Sequence, residues 1–431
     1  MDTMELTHHT GGEFMTLDID FVRSQFPALE RDGIYFDNPG GSQVVRHSLD
    51  RIQDYLVNTN SNRGGAFSTS QASDAIIDQS RAAVASFINA DRPEEIVFGP
   101  NMTSLTLSLS RSITGEFSAS DEIIVTRLDH DANISPWLHV AAATGCQLHW
   151  IDFDRASGRL SMDQLESALN ERTKLVAVGY ASNALGTINP IAQICEMARS
   201  VGAWSYVDAV QYAPHQPIDV AALGCDFLVA SAYKLFGPHL GFLYGRYELL
   251  DLLKAFKVRP APENPPGKFE TGTQNHEGIA GLLGVMEYLG QLGRRLGDDL
   301  RLELEPTYQG VELDLKAAMG AIMDYEHDLC GYLLNQLREL PEVQIYGPMD
   351  LDNRVPTVSF RLEGIKPGRA AQLLGDLGVY VWNGNFYALA VTEHLGLEDS
   401  GGLIRVGLVH YNQRNEIDSL INGLKTILAG K

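Results

Sequence analysis

The sequence predicts an α/β fold: a large domain on a mostly parallel sheet covered by helices, then a smaller α+β domain. Three observations predict it. The 431 residues exceed what one ordinary core holds and suit a large domain plus a smaller one. From residue 95 to residue 244, short apolar runs alternate with amphipathic stretches, as strands do with crossover helices in a parallel sheet. After a Pro-rich loop and a long helical region, the pattern changes to a compact mixture of strands and helices.

The elements follow in order. Residues 1–32 are expected to pack on the small domain, 33–300 to form the large domain and 301–431 the small one. The start of the chain is polar and acidic, with no apolar core of a secretory signal, and His8 and His9 read as part of a loose terminus, not as metal ligands. Helical spacing of apolar residues marks Ser42–Thr59 and Ala72–Ile88. Strands are predicted at Glu95–Phe98, Glu122–Thr126, Gln147–Ile151, Lys174–Gly179, Trp204–Val207, Phe227–Ala230 and Gly241–Tyr244. Helical patterns at Met102–Ser110, Met162–Leu169 and Ile191–Val201 lie between them. Pro260–Gly267 reads as a loop. A charged helical region spans Ile279–Leu340. Strands at Val355–Phe360, Val379–Trp382 and Leu403–Gly407, with helices at Arg369–Leu377 and Asn415–Ala429, complete the tail.

Composition narrows the function. A formal charge of −22 repels phosphate backbones and anionic lipid, so neither nucleic acid nor a membrane surface is an expected partner. No run is long enough to span a bilayer. The four scattered cysteines, with no C-x-x-C pair, read as reduced thiols of a cytoplasmic protein.

In parallel α/β sheets ligands sit at the carboxyl ends of strands, so polar residues there carry the chemistry. Asp208 closes one strand, where a carboxylate can hold a cationic heterocycle or simply cap a helix. Lys234 follows another strand in an apolar neighbourhood, which depresses an amine's pKa and makes it a Schiff-base nucleophile. The ordinary alternative is a solvated surface charge. Ser231 is near enough in sequence to reach a phosphate. His130, in the run after Glu122–Thr126, is placed to stack on a flat ring, to shuttle a proton, or to cap a helix. Asn101-Met102-Thr103-Ser104 stands where a strand gives way to a helix, an anion site or a plain N-cap. Neither a P-loop nor a G-x-G-x-x-G run is present, which weighs against a nucleotide.

Together and in order, these segments carry a resemblance. FDNPGG (36–41), NRGG (62–65), NMTS (101–104), LDHDAN (128–133), SNALGTINPI (182–191), VDAVQ (207–211), SAYKLFGPHLG (231–241), FETGTQN (269–275) and LIRVGLVHYN (403–412) are the landmarks. The chain resembles the class V aminotransferase family of fold-type I enzymes dependent on pyridoxal 5′-phosphate (PLP), in its cysteine desulfurase and selenocysteine lyase branch. The resemblance implies a seven-stranded, mostly parallel sheet. It implies that Lys234 holds PLP as a Schiff base, that Asp208 pairs with the pyridine nitrogen and Gln211 with the phenolic oxygen, and that His130 stacks on the ring. It places Thr103, Ser104, Ser231 and Tyr233 at the phosphate and Asn183 beside the cofactor or the substrate carboxylate. Arg405 would hold that carboxylate in a bidentate pair, with Asn38, Arg63 and Tyr387 also on the substrate side. Thr273 would reach the phosphate bound in a neighbouring subunit, which implies a homodimer. No metal is expected.

The chain departs from that branch at one loop. The persulfide-forming cysteine of the desulfurases falls on or near Tyr387, within Val381–Ala388, and a phenol cannot accept sulfane sulfur as a thiolate does. The expected activity is therefore that of a C–S lyase, eliminating the sulfur substituent from an S-substituted L-cysteine. Relatives of this fold in natural-product pathways diverge among such reactions. Oxidative decarboxylation or deamination, epimerisation and transamination stay open, as does a non-catalytic binding protein on an enzyme fold. The residues from Trp382 to Tyr387 either shape a pocket for a bulky side chain or merely pack.

Overall fold

The computed structural model describes residues 17–296 and 298–430. His8 and His9 lie outside them. Seven strands form one sheet in the order Ile96–Gly99, Gly241–Gly245, Phe227–Ser231, Trp204–Asp208, Thr173–Gly179, Glu122–Thr126, Gln147–Ile151. Gly241–Gly245 alone runs antiparallel to its neighbours. The sheet is mostly parallel, as the apolar runs predict. Its central strands are almost wholly buried, because helices cover both faces.

The C-terminal region forms a separate four-stranded antiparallel sheet in the order Trp382–Gly384, Leu403–Gly407, Thr357–Leu362, Val343–Tyr346. Helices Pro367–Asp376 and Arg414–Ala429 each contact it or one another. A 29-residue helix, Gly310–Arg338, joins the two regions. Its first half packs Leu315, Met319 and Ile322 into the core of the large sheet. Its second half packs Leu329, Leu333 and Leu337 into the core of the smaller one.

Several elements differ from expectation. The helix expected from Ser42 starts at Arg46 and ends in a π turn, Tyr55–Thr59. The strand expected from Val355 begins at Thr357. The stretch Val379–Trp382 divides between two sheets: Val379–Tyr380 pairs with Ile34–Tyr35, and Trp382–Gly384 pairs with Leu403–Gly407. The described part of the N-terminal segment touches both regions. Arg23 donates to the Tyr411 carbonyl at 2.6 Å and to Glu416 at 2.9 Å, while Phe26 packs edge-on against Phe236 and Tyr288. Among the described residues, no helix is long and apolar enough to cross a membrane, and no cluster of three or more acidic, His or Cys side chains is arranged to hold a metal.

Candidate active site

A cavity of about 450 Å³ opens at the carboxyl edge of the large sheet, a size that suits a small cofactor with its substrate. Each wall is a strand end. Thr173–Gly179, Trp204–Asp208 and Phe227–Ser231 run parallel and in register, which brings Gly179, Asp208 and the turn after Ser231 side by side. Ala232–Lys234 forms a single helical turn directly after its strand and aims Lys234 into the cavity.

Lys234 is only 7% exposed and donates no hydrogen bond. Burial pushes its amine down to about 7, and the nearby Arg405 charge pushes in the same direction, while Asp208 opposes them. Asp208 is raised to about 6 by burial, against a 2.9 Å bond from the Val210 N–H and the attraction of Lys234. Behind it, Asp129 accepts from the Gly179 N–H and, at 3.0 Å, from the Thr126 hydroxyl. Burial and the Asp208 charge raise its pKa well above the usual range. A protonated Asp129 and a charged Asp208 can therefore coexist in the same wall. Asp129 lies in a landmark segment, but sequence reasoning gave it no role. The signal that could have found it was a second acidic residue, like Asp208, at the carboxyl end of a buried strand.

His130 is held by its backbone turn. Its Nδ1 accepts from the Ala132 N–H at 3.0 Å, which leaves the proton on Nε2. Burial, with Lys234 and Arg405 beside it, lowers its pKa to about 3. The ring is thus a neutral, flat surface and a hydrogen-bond donor, not an imidazolium acid. On the other edge of the sheet, Asn101 caps the helix Met102–Thr114 by accepting from Ser104 N–H at 2.9 Å, and Ser231 Oγ accepts from Met102 N–H at 3.0 Å. At the helix start the Thr103 N–H, with no bond among the described residues, and the exposed Thr103 hydroxyl can together take an anion.

The smaller sheet stands behind the Asn183 side of the cavity. Arg405 stands on the central strand Leu403–Gly407, opposite Ser359 and Trp382. Its Nη1 donates to the Asn183 carbonyl at 2.9 Å. It is 4% exposed, and burial lowers its pKa to about 9, partly offset by Tyr233 and Asp37. Asn183 in turn donates to the Phe386 carbonyl at 2.9 Å.

The structure brings Thr103, His130, Asn183, Asp208, Gln211, Ser231, Tyr233 and Lys234 to one cavity, with Arg405 behind Asn183. It does not bring the others there. Asn38 spends its amide on the carbonyls of Tyr35 and Gly407 and on Asn412 Oδ1, and accepts from the Tyr411 hydroxyl. Arg63 is exposed and paired with Asp74 at 2.8 Å and Asp78 at 3.0 Å. Ser104 is exposed outside the cavity, and Thr273 is exposed on a loop away from it. Tyr387 is 75% exposed, its ring parallel to that of His130 at 5.7 Å.

The residues present fit PLP. Two buried side-chain oxygens in the cavity wall, Gln211 Oε1 and Asn183 Oδ1, have no partner among the described residues, and buried polar groups rarely stay unsatisfied. Asp208 can balance a protonated ring nitrogen, Lys234 can bond to an aldehyde, and the helix start at Met102 can take a phosphate.

The comparisons agree. The family profile described as Aminotransferase class-V matches residues 34–303 and 310–420. An aminotransferase-like protein of Gibberella zeae is 36% identical over 432 residues, covering 96% of this chain and 99% of that protein. A probable cysteine desulfurase of Streptomyces coelicolor is 32% identical, with 95% and 97% covered. The apo structure of a cysteine desulfurase from Thermococcus onnurineus NA1 superposes with a TM-score of 0.86 at 29% identity, over 97% of this chain and 99% of that one. The chain belongs to the class-V aminotransferases, PLP-dependent enzymes of fold type I.

Proposed function

We propose that this enzyme is a C–S lyase that acts by β-elimination on an S-substituted L-cysteine. The observation that supports this reading is the absence of an accessible thiol. The loop that carries the sulfur-accepting cysteine in the desulfurase branch reads Asn385-Phe386-Tyr387, and all four cysteines of the chain are buried. Burial pushes Cys195 up to about 11 and raises Cys225 and Cys330, so no ready thiolate is at hand. Elimination needs no sulfur acceptor. It needs a base at Cα, an electron sink and an anchored carboxylate.

When bound, PLP supplies the electron sink. Asp208 would keep the ring nitrogen's positive charge in place, and the Thr103 helix start would hold the phosphate. Lys234 Nζ, whose pKa burial lowers to about 7, would take the Cα proton in its neutral form. Arg405 would orient the α-carboxylate, and His130 would cover one face and exclude water. The net reaction is R–S–CH₂–CH(NH₃⁺)–COO⁻ plus water giving R–SH, pyruvate and ammonium. The C–S bond breaks with its electron pair on sulfur, and water hydrolyses the released enamine. A homodimer in which Thr273 completes the neighbouring site, a cytoplasmic location and a domain division near residue 300 belong to the same proposal.

Product analysis with L-cysteine and a panel of S-substituted cysteines tests it. Pyruvate and free thiol in equal amounts are the expected result. Alanine with protein-bound persulfide would overturn the reading.

A further inference from the structure

Arg405 presents an electrostatic problem that its fold resolves in an unusual way. It is 4% exposed, yet among the described residues no carboxylate lies within ion-pair distance of it. Among the described residues its Nε has no hydrogen-bond partner. A buried cation without a paired carboxylate is costly, and the Asp37 charge offsets that burial only in part, so other contacts must help to hold it. The structure offers two contacts: the Asn183 carbonyl at Nη1, and the face of Phe386, whose ring centroid lies 4.2 Å from the guanidinium carbon.

Phe386 itself is held in an unfavourable backbone conformation. Phe386 and Tyr387 have φ of 58° and 59°, a left-handed pair that bulky residues seldom adopt. Surrounding bonds enforce it. Asn385 Oδ1 accepts from Tyr387 N–H at 3.1 Å, Asn183 donates to the Phe386 carbonyl, and Asp131 N–H donates to the Tyr387 carbonyl at 2.7 Å. Asn385 is fixed in turn by its 3.0 Å bond to Glu398. A loop braced from both sheets thus serves to place one ring against one guanidinium.

We propose that Phe386 is a positioning residue for substrate recognition: its ring covers one face of Arg405 and leaves the guanidinium edge as a preorganised receptor for the α-carboxylate of the amino-acid substrate. The ring stabilises the cation by its quadrupole and closes one face to an approaching anion, which favours binding in the guanidinium plane. That is the bidentate geometry. This inference rests on the amino-acid substrate and not on which bond is broken, so it survives or fails separately from the elimination chemistry.

The test replaces Phe386 with mono-, di- and trifluorophenylalanine, which keep the ring's shape while draining its negative face. The readout is the dissociation constant of S-benzyl-3-mercaptopropionate, a substrate analogue with the carboxylate but no amine to react. It is measured by calorimetry on the PLP-loaded protein. Affinity should fall stepwise with each fluorine, reaching roughly 2- to 30-fold at the trifluoro ring. Phe386→Leu should raise KM for S-benzyl-L-cysteine by a similar factor with little change in kcat, and Phe386→Tyr should restore it. KM for the corresponding carboxamide should not move. A flat affinity series, or equal losses for acid and amide, would overturn the assignment. The fluorinated rings preserve packing, so the outcome stands even where the leucine variant fails to fold.

Discussion

At Lys234 burial brings the neutral amine into reach at neutral pH, and the consequence is measurable. An amine captures an aldehyde only when unprotonated, so the rate at which apo-protein takes up PLP follows the neutral fraction of Lys234. The sign is set by the depressed value of about 7. Above it the rate should be flat, and below it the rate should fall about tenfold per pH unit. An exposed lysine would instead keep accelerating towards pH 10. Stopped-flow absorbance of PLP uptake between pH 5 and 9 checks this, with Lys234→Ala as the control that forms no covalent chromophore. Lys234 and Asp208 were legible in the sequence because each directly follows a strongly apolar strand. The support that Phe386 gives Arg405 was not. Nineteen residues separate them, and only the pairing of Trp382–Gly384 with Leu403–Gly407 brings their loops together.

Among the elements, the turn from strand Ile96–Gly99 into helix Met102–Thr114 has little spare room. A Cβ on Gly241 of the neighbouring strand would meet the Asn101 carbonyl carbon at 2.6 Å and Met102 N at 2.9 Å. Gly241→Ala should therefore displace the helix start, destabilise the fold by about 1–3 kcal/mol and weaken PLP binding. Asn101→Ala removes only the cap and should cost about 1 kcal/mol. Thermal melting with PLP titration separates the two. Strand Leu403–Gly407 was read to the residue, being buried throughout. Strand Val343–Tyr346 was missed, because it is half-exposed and its pattern is interrupted by Gln344. Ile34–Tyr35 is only two residues long and gains its identity from Val379–Tyr380, far away in the chain. Short or edge strands owe their existence to partners that a local window does not contain.

For the whole molecule, the exposed Thr273 gives a test of assembly. If each cavity is completed by its partner's Thr273, Lys234→Ala and Thr273→Ala chains mixed under dissociating conditions should regain activity. The hybrid would contain one site with both residues intact. Activity that stays at the level of the Thr273→Ala parent would show that each chain builds its site alone. Sequence reasoning reached this surface only through a resemblance, because nothing in a single chain's periodicity encodes what lies opposite an exposed loop.

The helix Gly310–Arg338 has a mechanical side. At 1.5 Å per residue it is a rod of about 44 Å, clamped at one end in each core. Arg405 and Lys234 sit on bodies fastened to opposite ends of that rod, so tilting one sheet against the other must bend it or unpack one clamp. The spacing of Arg405 and Lys234 thus depends on a stiff axle as well as on the direct contacts across the cleft, from Arg405 to Asn183 and from Asn183 to Phe386. Softening its middle, near Met323–Tyr325, should blur that spacing while leaving both ends folded. The same substitution should speed amide exchange along the whole helix, because neither clamp would any longer steady the other.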